Sequence, residues 1–218
     1  RPVQYLAILT DITERRLAEA ELRRRESELQ RIFDILPVGL WFADRDGTLL
    51  KGNPAGVAIW GGEPRVGPEE YGVFRARRLP SGEEIEPDDW ALARTIREGI
   101  TVEDELLEIE AFDGETKTIL NYTAPVRDES GAVDGAIVVN LDITDLRLME
   151  QALRESEEKH RTLFETMAQG AVYQDAEGAI TAANPAAERI LGLSLAQMQG
   201  CRSVDPRWRT IREDGTEF

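Results

Sequence analysis

The chain has 218 residues, 41% of them apolar, which is enough for one or two domains with their own cores. A formal charge of −16 from 42 acidic and 26 basic side chains excludes nucleic acid and anionic membrane surfaces as natural partners. A single cysteine excludes an internal disulfide framework and points to a reducing, cytoplasmic setting, and no apolar run approaches the roughly 20 residues that span a bilayer.

In chain order, Val3 to Leu9 is apolar with tyrosine and β-branched residues, and reads as a closing strand. Asp11-Ile12-Thr13 follows, with Thr13 as a natural N-cap. The run from Glu14 to Phe33 lacks glycine and proline and is a helix. Ala18, Leu22, Arg25, Leu29, Ile32 and Leu36 form a heptad seam interrupted by one arginine. Met149, Leu153, Ser156, His160, Leu163 and Met167 repeat that spacing in a second linker. Helices paired between two protomers account for the duplicated seam better than a helix solvated on its own domain.

Between the linkers, Leu40–Ala43 and Thr48–Lys51 flank Asp44-Arg45-Asp46-Gly47 and predict a hairpin. Asn53 caps a short helix, with Pro54 at its first position. The stretch from Pro64 to Pro87 reads as loop with brief turns. Pro87-Asp88-Asp89 opens another helix, Trp90 to Glu98, ended by Gly99. Three long strands complete the unit: Glu103–Phe112, Thr116–Val126 and Val133–Leu141. Asp142-Ile143-Thr144 then repeats the earlier triplet at an offset of 131 residues. The same offset aligns Phe33 with Phe164, Gly47 with Gly178 and Asn53-Pro54-Ala55 with Asn184-Pro185-Ala186, so the repeat unit is a whole domain.

These motifs, together with Gly52-Asn53-Pro54-Ala55, Ala124-Pro125-Val126-Arg127-Asp128 and the lead-in Glu155 to Glu165, resemble a tandem array of PAS domains with their C-terminal PAC halves. The resemblance covers essentially the whole chain. It divides the chain into the last strand of one copy (1–13), a linker helix (14–33), a complete copy (34–144), a second linker helix (145–163) and the first part of another copy (164–218). It implies an α+β fold, a five-stranded antiparallel sheet in the order 2-1-5-4-3, with short helices enclosing a small cavity on one face. It also implies a sensor of ligands or partners that relays its state through linker helices to an output domain beyond Phe218. In relatives that output is most often a histidine kinase of a two-component system, sometimes a diguanylate cyclase. The alternative is a ligand-free dimerisation and spacer module.

No residue here needs to be catalytic. His160 is followed by Arg161 and falls on the linker seam, so it reads as a linker residue rather than a phosphoacceptor. One histidine and one cysteine far apart make no metal site. Haem-binding relatives carry an axial histidine within the stretch that corresponds to Val57–Pro87, where this chain has none. Gly200-Cys201-Arg202-Ser203 departs from the Asn-Cys-Arg-Phe of flavin-binding LOV domains at both flanks, and Cys201 reads as a small buried residue.

Trp41, Phe42, Trp60, Phe74, Trp90 and Tyr122 are many aromatics for one small domain, and filling the core is their first reading. Were a small ligand held, Trp41, Phe42, Trp60 and Trp90 would line it, with Asn121, Tyr122 and Asn140 as polar contacts. At the two domain exits, Asp142 and Thr144, like Asp11 and Thr13, are expected to cap the outgoing helix and to couple it to the sheet.

Overall fold

The computed structural model describes residues 13–199, together with 214 and 216. The strand expected at Val3–Leu9, the triplet residue Asp11 and Cys201 lie outside the described residues. The chain divides into two units, 1–147 and 148–218.

The first unit opens with helix α1 (Thr13–Ile35). Its apolar seam residues Leu22, Leu29 and Ile32 are exposed, whereas Phe33 is buried. Phe33 stacks on Phe42 at 5.5 Å, and Lys51 lies over its ring at 4.9 Å. Strands β1 (Gly39–Asp44) and β2 (Leu49–Gly52) form the expected hairpin. Asp44 accepts from the backbone N–H of Asp46 and of Thr48, and Gly47 supplies the φ of 87° that the turn requires. Helix α2 (Pro54–Trp60) and α3 (Ala91–Glu98) lie on the same face of a sheet completed by β3 (Arg75–Arg78), β4 (Val102–Glu110), β5 (Thr116–Arg127) and β6 (Val133–Asp142).

The sheet order is β2-β1-β6-β5-β4-β3, antiparallel throughout. Its first five strands reproduce the expected order. The sixth, β3, corrects the reading of Pro64–Pro87 as loop. Arg75-Ala76-Arg77-Arg78 carries no hydrophobic run, but it pairs with an acidic stretch of β4, Arg75 opposite Glu110 and Arg77 opposite Glu108. The Arg77 Nε donates to Glu108 at 2.6 Å. Opposite charges across the ladder, rather than burial, favour this edge strand.

The inner face carries the core. Leu107, Ile109 and Ile119 are fully buried under Ile59, Trp60, Trp90 and Leu92. Close approach of α2 to β1 depends on two glycines: a Cβ on Gly39 would stand 2.9 Å from the Gly56 Cα. At the exit, β6 passes through Ile143 into helix α4 (Thr144–Thr166), whose seam residues Met149, Leu153 and Leu163 are exposed.

In the second unit a hairpin, β7 (Val172–Gln174) and β8 (Ile180–Ala183), is followed by α5 (Pro185–Leu191) and α6 (Leu195–Met198). The internal repeat recurs here in the bonds of the asparagine Oδ1. Asn53 Oδ1 accepts from Leu40 N at 2.9 Å and Gly56 N at 2.8 Å; Asn184 Oδ1 accepts from Ala171 N and Ala187 N at the same two distances. Gly61 and Gly192 end the two helices in the left-handed region, at φ of 68° and 66°.

Candidate functional site

A cavity of about 50 Å³ lies between the inner face of the sheet and the α2 and α3 side of the first unit. Its aromatic wall is Trp41, Trp60, Tyr71, Phe74 and Trp90. The Trp60 and Trp90 rings meet edge to face at 6.1 Å, and Phe74 packs on each of them, at 5.1 and 5.8 Å. Leu49, Leu92 and Val138 supply the aliphatic part, and Asn121, Thr123 and Asn140 the polar part.

The polar residues form a crossbar over the sheet. Glu105 on β4 faces Asn121 on β5, and Asn121 faces Asn140 on β6. Trp60 Nε1 donates to Asn140 Oδ1 at 2.9 Å, Asn140 Nδ2 donates to Asn121 Oδ1 at 2.9 Å, and Asn121 Nδ2 donates to Glu105 Oε2 at 3.1 Å. An indole N–H only donates and a carboxylate only accepts, so the two ends of the row fix the orientation of both amides. A break in the β4 ladder between Val102 and Glu105, with Asp104 at a φ of 51°, precedes this row. Such bulges re-aim the side chains that follow them.

The outer end of the row is a cluster of charges. Glu105, its side chain only 9% exposed, receives Arg94 Nη2 at 2.7 Å and Arg78 Nε at 3.2 Å. Arg78 also pairs with Asp89 at 2.8 Å, and both arginines donate to the Asp89 backbone carbonyl. Partial burial lowers the Arg78 pKa, but hydrogen bonds to Asp89 and Glu105 and the two negative charges outweigh it and raise the value. The turn just before Trp90 is thereby held to the sheet by a carboxylate and two fixed cations.

Tyr71 closes the wall from the other side. Its hydroxyl donates to the Gly47 carbonyl of the first hairpin, and burial, reinforced by the charge of Asp44, pushes its pKa far up. Thr123 and Thr95 share a hydrogen bond at 2.6 Å that ties α3 to β5.

Of the candidates singled out in the sequence, Trp41, Trp60, Trp90, Asn121 and Asn140 meet at this cavity, as does Phe74. Phe42 and Tyr122 do not. Each is the immediate neighbour of an inward-facing residue, Trp41 and Asn121, and successive side chains of a strand point to opposite faces. Phe42 and Tyr122 are therefore on the outer face, 39% and 37% exposed. Tyr71, Thr123 and Glu105 were not singled out. The alternation along β5 could have supplied Thr123, two residues after Asn121; nothing local distinguishes Tyr71 or Glu105 from other residues of their type.

The exit differs in detail from a simple cap. Asp142 Oδ1 accepts from the Thr144 backbone N at 2.9 Å and from its hydroxyl at 2.6 Å. The Thr144 Oγ1 in turn accepts from Thr118 N of β5 at 2.9 Å, while Ile143 N donates to Thr118 O. The hydroxyl thus clamps the start of α4 to β5 instead of capping the helix. Thr13 begins α1. His160 is exposed on α4, and among the described residues no group of His, Cys, Asp and Glu is placed to hold a metal.

Comparison with known proteins agrees with this architecture. A family model described as the PAS fold matches residues 33–148, more than half of the chain, and one described as a PAS domain matches residues 158–218. Sporulation kinase E of Bacillus subtilis (strain 168) is 25% identical over 207 residues, covering 89% of this chain and 25% of the kinase. The chain thus spans about a quarter of that relative's length. Among solved structures, the PAS domain of an HTR-like protein from Haloarcula marismortui is 20% identical with a TM-score of 0.43, covering 59% of this chain and 99% of that one. The PAS domain of Bordetella pertussis BvgS is 21% identical with a TM-score of 0.41, covering 63% and 98%. From the two family matches and the fold they describe, this chain belongs to the PAS-domain family.

Proposed function

We propose that residues 34–144 are a sensory domain that holds a small ligand in the aromatic cavity and relays its occupancy through the linker at 145–163 to an output domain, a histidine kinase. One observation supports the relay above the others. Asn140, in the cavity wall, lies on β6 two residues before Asp142, where the strand hands over to α4. A change in the crossbar has a short, continuous backbone path to the helix. The likeness to sporulation kinase E supports a kinase as the output, with a diguanylate cyclase as the alternative. In this reading the protein is cytoplasmic and dimeric through its linker seams; no helix among the described residues is long and apolar enough to cross a membrane.

The test is Asp142→Ala in the intact parent protein. It is expected to cost about 1 kcal/mol of stability, as loss of a capping carboxylate does, and to disconnect signal from output. Unchanged melting together with unchanged signalling would refute the relay. The second reading, a ligand-free dimerisation and spacer module, draws support from the small volume of the cavity. Native mass spectrometry separates the two: a reproducible added mass per protomer, lost on denaturation, belongs to a sensor, and a bare dimer to a spacer.

A further inference from the structure

We propose that the segment 86–94 is the gate of the cavity, and that Glu105 is the positioning residue that locks the gate and joins it to the crossbar. What passes the gate rests on the sensory reading above; the gate itself is a property of the fold and is tested without a ligand.

The segment stands between the cavity and solvent. Trp90 and Leu92 are buried in the cavity wall, whereas Glu86 and Asp88 are exposed. It is anchored at both ends. The Ile85 N–H donates to the Ala76 carbonyl of β3 at 3.0 Å, and the Thr95 hydroxyl bonds that of Thr123 on β5 at 2.6 Å. Between these anchors, among the described residues, the backbone makes no backbone hydrogen bond to another element; Asp89 N reaches only Glu86 O, and Arg94 N only Trp90 O. Side chains fasten it instead. Arg78 of β3 meets the Asp89 carboxylate at 2.8 Å and its carbonyl at 3.2 Å, and Arg94 donates to the same carbonyl at 3.2 Å. Arg97 donates to the Asp88 carbonyl at 3.0 Å, and Thr123 adds a long bond of 3.4 Å to the Ala91 carbonyl. Contact of the Trp90 ring with Trp60 and Phe74 favours closure but has no strict direction, so the charged bonds fix where the segment is held.

Glu105 orders the two arginines that do this. Its Oε1 receives Arg94 Nη2 at 2.7 Å and Arg78 Nε at 3.2 Å, while its Oε2 receives Asn121 Nδ2 at 3.1 Å. One carboxylate oxygen serves the gate and the other the crossbar. When the segment swings out, Arg94 leaves with it and the carboxylate re-centres on Arg78, the one cation still beside it on the sheet. Asn121 then loses the acceptor that ends the row, and Asn140 and Trp60 lose the fixed direction that this acceptor gave them. Opening is thereby registered on β6, two residues before Asp142.

The test is hydrogen exchange of the full 218-residue chain, labelled with ¹⁵N at amides and indoles and read by NMR as an opening equilibrium at each site. The Trp90 indole N–H is buried without a hydrogen-bond partner, so its exchange reports opening of the segment around it. In the wild type it is expected to open about tenfold or more above the amides of 119–123 in the middle of the sheet. Glu105→Gln keeps the shape and removes the charge. It is expected to raise opening at Trp90 about tenfold, as loss of a charged hydrogen bond does, and to raise the Trp60 indole with it, while 119–123 follow by less. Asp89→Asn, at the half-exposed end of the lock, is expected to raise Trp90 about twofold to threefold, and it tests the gate where Glu105→Gln disturbs folding. Wild-type Trp90 opening only together with 119–123 would overturn the gate. An equal rise at every site in Glu105→Gln, the mark of general destabilisation, would overturn the lock. A rise at Trp90 with Trp60 unmoved would overturn the link to the crossbar. None of these results touches the sensory reading, which stands or falls on bound mass in the native chain.

Discussion

Asn140 makes two hydrogen bonds from a buried place. Its carbonyl takes the Trp60 indole and its amide serves Asn121, at 2% exposure. Asn140→Leu would keep the volume and leave Trp60 Nε1 and Asn121 Oδ1 buried without partners. At about 1–3 kcal/mol for an unsatisfied buried group, the expected cost is about 3 kcal/mol, read from the urea midpoint at unchanged slope. Tyr71 gives a different signature. Its folded pKa is raised above the unfolded value of about 10, so above that pH the unfolded chain has lost a proton that the folded chain still holds. Stability is therefore full below about pH 10 and falls as the pH climbs beyond it. Tyr71→Phe is expected to remove that alkaline slope while sacrificing, near neutrality, the bond to Gly47. A slope unchanged in the variant would assign the alkaline loss to other groups.

At the scale of elements, the two copies share their opening hairpin and the asparagine cap but differ in how deeply their described residues are buried. In the complete copy β5 and β6 are flanked on both sides by strands, and Ile119, Thr123 and Ala136 are almost wholly buried. In the second unit, Tyr173 on β7 is 62% exposed and Ile190 on α5 is 67% exposed. Amides of 172–191 are accordingly expected to exchange with solvent much faster than those of 116–142, as measured by hydrogen exchange and mass spectrometry; equal protection would contradict the burial argument. The elements also show where reading the sequence works and where it stops. The Asn53 cap, the Gly47 turn and the long strands β4 to β6 were legible because each is a local event: a side chain bonding three residues away, a glycine at positive φ, an apolar alternation. Strand β3 was not, since Arg75 to Arg78 acquires its conformation from acidic residues some 30 positions later. Phe42 and Tyr122 were grouped with the cavity by residue type, although the parity of their own strands already sends them to the other face. Glu105 could be placed only once three strands had been laid side by side.

At the scale of the whole molecule, the exposed seams of α1 and α4 are the largest statement about assembly. Leu22, Leu29 and Ile32 on one helix and Met149, Leu153 and Leu163 on the other are apolar, exposed and set at heptad spacing. Two protomers pairing along them would bury these residues at about 25 cal/mol per Å² of apolar surface. The chain is thus expected to run as a dimer in light scattering, and Leu29→Asp combined with Leu153→Asp to turn it into a monomer with the domain still folded. A wild-type monomer at high concentration would remove the seam argument.

Three of the four tryptophans of the chain stand around one small space, with Trp60 and Trp90 in edge contact. Light absorbed by any of them is shared among neighbours a few ångströms apart, and their colour of emission depends on how dry and how rigid that space is. The cavity therefore carries its own optical gauge: a ligand entering it, as proposed, is expected to change the protein's fluorescence without a dye and without a label.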